Sequence, residues 1–354
     1  MTRVLAARLD SAGDVLVTEP ALRAIAADPR VEALTLLCGP QGRAAAELLP
    51  EPDALLSWAS PWTLAPAPPA TSAHLAELRD AVAAGGYDAA VVFTSFHQSP
   101  LPLALVLRTA GIAHITGAST DYPGSLLDVR LRPGEDFPED QPEVERALRI
   151  AAAAGFGLPA GDAGRMRIAD PSGAFFGTPA AAAAGLRPDE PYLVLHPGAA
   201  APARMWPPER SRAAVELLTR RGWTVAVTGG PAERELTAAV AGAHGIDLGG
   251  RCDLRGTADL LSHASALVTG NTGPAHLAAA VGTPVVSLFS PVVPAIRWAP
   301  YGVPVELLGD QTAPCRGTRA RECPVPGHPC LASVSPEAVA EAVRRIVDRT
   351  RSCA

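Results

Sequence analysis

The stretch that most constrains this chain runs from Ala266 to Phe289 and reads ALVTGNTGPAHLAAAVGTPVVSLF. Two short β-branched runs, Ala266 to Thr269 and Pro284 to Phe289, flank a segment whose apolar spacing through Leu277 and Val281 is helical. This order of periods predicts strand, turn, short helix and strand, which is one βαβ unit. Such a unit commits both strands to a parallel sheet, because only a crossover can join them. Gly270, Asn271, Thr272 and Gly273 make the turn. Small residues there let a ligand approach the backbone, and the free N–H groups that open the helix favour an anion such as a phosphate. His276 lies one turn into the helix, near its positive end. Glycine-rich turns end many strands of α/β proteins. Here Asn271, Thr272 and His276 also place three hydrogen-bonding side chains within six residues, among alanines that offer no rival chemistry.

The same alternation extends along the chain. Strands are expected at Thr2 to Leu9, Leu34 to Cys38, Ala54 to Trp58, Tyr87 to Phe93 and His114 to Gly117. Helices fall between or after them, after Ser11-Ala12-Gly13-Asp14 and at Gly42 to Leu49, Ala73 to Ala84, Leu101 to Ala110 and Glu143 to Ala154. Residues 155 to 190, rich in Gly, Pro, Ala and Asp, read as a linker with an adapter turn. Alternation restarts at Tyr192 to His196 and continues through helices Pro208 to Arg221, Ala232 to Ala243 and Leu254 to Ala264 and the strand Thr224 to Thr228. The expected organisation is α/β, with Rossmann-like domains over residues 1–170 and 171–334. A terminal amphipathic helix within 335–354, opened by Ser335-Pro336-Glu337, is placed to fold back on the first domain.

Composition excludes several function classes. A chain of 354 residues with 48% hydrophobic and 19% charged side chains can build two globular cores. No apolar run approaches the roughly 20 residues that span a bilayer. The N-terminus enters a strand without a basic leader, which implies a cytoplasmic protein, with peripheral membrane contact left open. The net charge of −6 and the lack of a dense basic cluster argue against a nucleic-acid partner. All 30 cationic side chains are arginine, so a phosphate clamp must use arginine, backbone N–H groups or a metal. The first strand is not followed by GxGxxG, which argues against a dinucleotide oxidoreductase.

Other residues carry two readings each. Asp14, after the first strand, is either a helix-capping carboxylate or a general base at the carboxyl edge of a parallel sheet. Asp10 beside it caps the loop or orients it, and Gly13 belongs to the same turn. His196-Pro197-Gly198 ends the first strand of the second half, where His196 is structural or positions an anion-binding loop. Arg204 is a solvated arginine or a bidentate phosphate ligand, and Trp206 is expected to pack its loop. Gly230 and Glu233 open a helix after the next strand, where an acid also complements the helix dipole. Cys315, Cys323, His328 and Cys330 form a C-x7-C-x6-C loop without a CxxC knuckle. A reduced thiol loop is the default there and a zinc site the minority reading.

The Asn271-Thr272-Gly273…His276 signature resembles that of the heptosyltransferase-like glycosyltransferases, family 9. Ser11-Ala12-Gly13-Asp14-Val15-Leu16 is similar to the family's amino-terminal Gly-Asp-Val-Leu segment. The resemblance covers both halves, from Arg8 to about Cys330, and departs where Asn271 stands in place of the usual Asp. It implies a GT-B arrangement of two Rossmann-like domains across a cleft and an inverting transfer from a nucleoside-diphosphate sugar. ADP-heptose is the expected donor, and a glycan or small molecule the acceptor. The resemblance makes Asp14 the base. It makes Arg204, Gly230, Glu233, Gly270, Asn271, Thr272, Gly273 and His276 donor-binding, with Asp10, Gly13, His196 and Gly198 in support. Glu233 would meet the ribose and Arg204 the diphosphate. No cofactor or metal is implied. The rival functions are a nucleotide-sugar epimerase or hydrolase on the same scaffold, and a non-catalytic nucleotide-sugar-binding protein. The loops expected to meet the acceptor, 60–71 and 96–101, carry no readable code.

Overall fold

Runs such as VLAA, LTLL, YLVL and ALVTG are apolar on successive residues rather than alternate ones, as strands buried on both faces require. In the computed structural model, which describes residues 2–353, they become the central strands of two parallel sheets. The chain divides into two units, Met1–Ala169 and Asp170–Ala354. The first contains β1 (Thr2–Arg8), β2 (Val31–Cys38), β3 (Ala54–Ser57), β4 (Ala89–Val92), β5 (His114–Ala118) and β6 (Val129–Leu131). The second contains β7 (Tyr192–His196), β8 (Thr224–Val227), β9 (Ile246–Asp247), β10 (Ala266–Gly270), β11 (Val285–Leu288) and β12 (Val305–Leu308).

Their orders are β3-β2-β1-β4-β5-β6 and β12-β11-β10-β7-β8-β9, and every pairing is parallel. Both sheets therefore have the doubly wound order, with a switch point between β1 and β4 in one unit and between β7 and β10 in the other. The expected central strands and longer helices lie within a few residues of their observed positions. The edge strands β6, β9 and β12 and the helix Ala295–Trp298 were not anticipated, since each is only two to four residues long. Within the expected linker, Pro179–Ala184 is helical, capped by the Thr178 hydroxyl and ended by Gly185 at φ 65°.

The terminal helix is Pro336–Cys353. It lies in the second unit against β10, β11, β12 and the helix Pro208–Arg220. Val339, Val343, Ile346 and Val347 form its buried stripe, in one core with Leu193, Val215, Val268 and Val286. Arg345 and Arg349 both reach Glu306 on β12, at 2.7 and 2.8 Å.

In the first unit, the helix Ala12–Ala26 holds the segment before the unit boundary through a buried ion network. Glu19, at 0% exposure, pairs with Arg23 and accepts the Arg167 N–H at 2.8 Å. Arg23 also reaches Asp162 at 2.8 Å, and Arg167 reaches Glu51 at 2.9 Å. Burial, reinforced by Glu51, pushes the Glu19 carboxyl from its ordinary 4.5 up to about 8, although Arg23 and the Arg167 N–H oppose the shift. A carboxyl raised in the folded state binds more protons folded than unfolded. Its stabilisation is complete below about pH 4.5 and is lost as pH rises through about 8. Glu19→Gln, which fixes the neutral state, should therefore flatten the fall in melting temperature between these limits. An unchanged slope in the variant would show that Glu19 is ionised throughout.

Candidate active-site residues in the two units

At a switch point, the helices on either side leave for opposite faces of the sheet and their loops part, opening a crevice at the carboxyl ends of the strands. In the first unit this place lies after β1 and β4. Arg8 ends β1 at 1% exposure, and its guanidinium spans two carboxylates, Asp10 through Nε at 2.8 Å and Asp14 through Nη2 at 2.9 Å. The same Nη2 donates to Ser95 Oγ at 2.9 Å. Burial works against the charge on Arg8, but Asp10, Asp14 and Glu143 hold its pKa above the ordinary arginine value. Burial pushes the Asp10 carboxyl up against the pull of Arg8, and Asp10 also accepts from the Gln98 side-chain amide.

Asp14 takes the helix-capping position, one of its two readings. Its Oδ2 accepts the Ser11 N–H at 3.1 Å and the Ser11 hydroxyl at 2.6 Å, which is the capping-box arrangement. Its Oδ1 faces Arg8 and the Ser95 hydroxyl, the latter at 3.4 Å. These donors match an ionised carboxylate. Asp14 is the more exposed of the pair, 16% against 8% for Asp10. Gly13, buried in the first turn of the helix, belongs to the same strand-to-helix junction.

In the second unit the switch point gathers the ends of β7, β8, β10 and β11. His196, the last residue of β7, holds Thr228 Oγ1 at 3.2 Å and has Glu233 at 4.0 Å. Burial lowers its pKa despite Glu233, which favours neutral imidazole. Glu233 accepts the Gly230 N–H at 2.7 Å. A Cβ on Gly198 would lie 1.8 Å from Glu233 Oε1, and one on Gly229 would lie 3.1 Å from the Glu233 Cβ. These glycines leave the space that the glutamate fills.

Across the sheet, Thr269 donates to the His196 carbonyl at 3.0 Å. A Cβ on Gly270 would stand 2.6 Å from the Arg204 carbonyl oxygen. Gly270 thus lets the Arg204 turn, a short 3-10 segment Pro202–Arg204, lie directly on the end of β10. Asn271 is 5% exposed, with its amide donating to the Ser290 carbonyl at 3.4 Å and its Oδ1 without a hydrogen bond among the described residues. Thr272 is the N-cap residue of the helix Gly273–Ala280, and its side chain makes no cap bond there. The buried His276 sits edge-on to Trp298, with ring centroids 6.3 Å apart. Trp206 is buried and donates to the Val334 carbonyl at 3.3 Å, so it packs its loop.

The structure gathers Asp10, Gly13 and Asp14 in one unit and His196, Gly198, Arg204, Gly230, Glu233, Gly270, Asn271, Thr272, Gly273 and His276 in the other. His328 Nε2 is engaged by the Ala203 carbonyl at 3.2 Å, and among the described residues no His, Cys, Asp or Glu trio is placed to hold a metal. Cys315 and Cys330 belong to the second hydrophobic core, and burial beside Cys315 pushes the Cys330 thiol up to about 11. Sequence reasoning missed Arg8, Ser95, Gln98, Thr228 and Ser290. Arg8 alone left a signal, a charged residue closing an otherwise apolar central strand. The others lie in polar loops that look like any loop until the sheet order brings them together.

Comparison with known proteins agrees with this arrangement. The family model for glycosyltransferase family 9 (heptosyltransferase) matches residues 75–328. Lipopolysaccharide heptosyltransferase 1 of Pseudomonas aeruginosa is 33% identical over 228 residues, which are 62% of this chain and 60% of that protein. The chain thus aligns with less than two thirds of that relative's length. The structure of the Escherichia coli ADP-heptose lps heptosyltransferase II superposes with a TM-score of 0.76 at 21% identity, covering 99% of both chains. A family 9 glycosyl transferase from Veillonella parvula superposes with a TM-score of 0.79 at 18% identity, covering 98% of both. These superpositions establish the GT-B fold, and with the match over residues 75–328 the chain belongs to glycosyltransferase family 9, the heptosyltransferase family.

Proposed function

We propose that this protein is an inverting glycosyltransferase that moves heptose from ADP-heptose to a hydroxyl of a glycan or small-molecule acceptor. The observation that carries the reading is the presence in one chain of two switch-point sites of complementary chemistry. One presents a partly exposed carboxylate and the other a glycine-lined cradle with an arginine turn on it. The relatives' names supply the sugar and the nucleotide.

In this reading the second unit holds the donor. The N–H groups opening the helix Gly273–Ala280 and the Arg204 guanidinium face the diphosphate and offset the charge that grows on it as the bond to the sugar breaks. Glu233 accepts hydrogen bonds from the ribose, and Asn271 offers its free Oδ1 to a donor hydroxyl. The first unit holds the acceptor, whose oxygen attacks the anomeric carbon from the face opposite the departing ADP. Asp14 takes the hydroxyl proton as that bond forms. An ordinary aspartate near ~3.9 is far too weak a base to ionise an alcohol beforehand, so transfer occurs late, as the oxocarbenium-like centre develops. Arg8, Ser11 and Ser95 hold the carboxylate in place. A protein that draws on nucleotide sugars in this way would work in the cytoplasm.

Asp14→Asn should lower kcat by about 10² to 10⁴ while leaving ADP-heptose affinity within a few fold, measured by calorimetry beside a transfer assay. Retention of most of the rate would remove Asp14 from the chemistry. Arg204→Ala should weaken ADP binding by at least about tenfold through loss of a charge-assisted phosphate contact. Gly270→Ala should do the same without touching the ligand, because its Cβ would force the Arg204 turn away from β10. Sugar turnover without any acceptor in the wild type would favour an epimerase or hydrolase instead. Donor binding with no turnover under any condition would favour a binding protein.

A further inference from the structure

We propose that the acceptor received at the Asp14 site is an uncharged, polyhydroxylated molecule that lays an apolar ring face on Trp62, and that acceptors carrying phosphate or carboxylate are disfavoured there. The proposal rests on the reading of the first unit as the acceptor side. Strands β1 to β6 are all parallel, so their carboxyl ends and the loops that leave them share one edge. The loops around the switch point, residues 9–11, 58–71 and 93–100, contain no arginine or lysine and include Asp10, with Asp14 immediately beyond.

Arg8, Arg43, Arg130 and Arg132, which border this edge, are already engaged, Arg130 by the Ser119 and Thr120 carbonyls at 3.0 and 2.6 Å. Arg8 is enclosed between Asp10 and Asp14. Farther along, Arg43 pairs with Glu47 at 2.7 Å and Arg132 with Glu135 and Asp136 at 2.5 and 3.0 Å. Asp121 adds a further exposed acid to the loop after β5. An anionic acceptor brought to Asp14 would meet like charge on this edge, which costs affinity and is offset only where a cation can approach.

What the edge offers instead is aromatic. Trp62, partly exposed, lies against Trp58 with ring centroids 5.3 Å apart, and Trp58 stacks on His74 at 4.7 Å with 18° between the planes. The Thr63 hydroxyl bonds the Leu9 carbonyl at 3.4 Å and ties this loop to the end of β1. Trp62 lines a small cavity of about 20 Å³ together with Leu9, Thr63, Phe93 and Gln98, the residue whose amide also holds Asp10. The indole therefore shares this cavity with the residue that holds Asp10. A sugar-like ring can place its C–H face on Trp62 while one of its hydroxyls turns to Asp14, the division of labour expected where an aromatic wall meets a few polar groups.

The test uses the full chain with ADP present and two probes that differ only in charge, methyl cellobioside and its phosphate monoester. Probe binding is followed by ligand-observed NMR, and ADP-heptose binding by calorimetry in the same preparations. The neutral probe should bind, and the phosphate ester at least about tenfold more weakly at low salt, with the gap narrowing as ionic strength rises. Trp62→Ala should weaken the neutral probe by about tenfold, Trp62→Phe should restore most of it, and neither should alter ADP-heptose affinity. Equal or tighter binding of the phosphate ester would overturn the proposal. So would a neutral probe that ignores Trp62→Ala, or failure of both probes to bind. Failure of the wild type to bind ADP-heptose would sink the transferase reading itself, whereas intact donor binding with a preference for the phosphate ester would sink only the acceptor class.

Discussion

A parallel strand and its right-handed crossover send each helix to one face of the sheet, and where strand order reverses, neighbouring helices leave on opposite faces. Each unit of this protein contains one such reversal, beside β1 and beside β7. The residues with readable chemistry cluster at these two places, since nowhere else does the backbone part without help from an insertion. Asp10 and Asp14 come from one segment and Ser95 and Gln98 from another far along the chain, and the two meet only because β1 lies beside β4. His196, Glu233 and Asn271 are brought together by the neighbours that β7 keeps on either side.

The two sites are held open by different means. In the second unit, absent side chains do the work. Gly198 and Gly229 make room for Glu233, and Gly270 admits the carbonyl of Arg204, so a single Cβ at any of them would displace a neighbour. In the first unit, charge does it. Arg8 is buried with two carboxylates on its guanidinium, a geometry that fixes both acids while taking them out of competition for other cations. Removing one member of such a cluster leaves a buried charge uncompensated, so the network is rigid for the same reason that it is costly to disturb.

The absence of lysine gives these arrangements a common character. Each buried cation is a planar fork that can serve two acceptors at once, as Arg8 does with Asp10 and Asp14 and Arg23 does with Glu19 and Asp162. The Glu19–Arg23 cluster extends this beyond the candidate site, binding the segment that runs up to the unit boundary onto the first helix of the chain.

The sequence by itself determined the elements that depend on local period and local backbone chemistry. The continuous apolar runs of β1, β7 and β10, the glycine turn at 270–273 and the Ser11–Asp14 cap could all be read because each is encoded within a few consecutive residues. The short edge strands were illegible, since two to four residues carry no period. The amphipathic stripe of the terminal helix was legible, but its partner was not, because a stripe states that a face is buried and not against what. Tertiary structure alone decided that Arg8 bridges two aspartates, that Glu233 fills the space above Gly198, and that His328 faces the Ala203 carbonyl. Those are contacts between residues distant in sequence, and only the order of strands in the sheet sets which distant residues become neighbours.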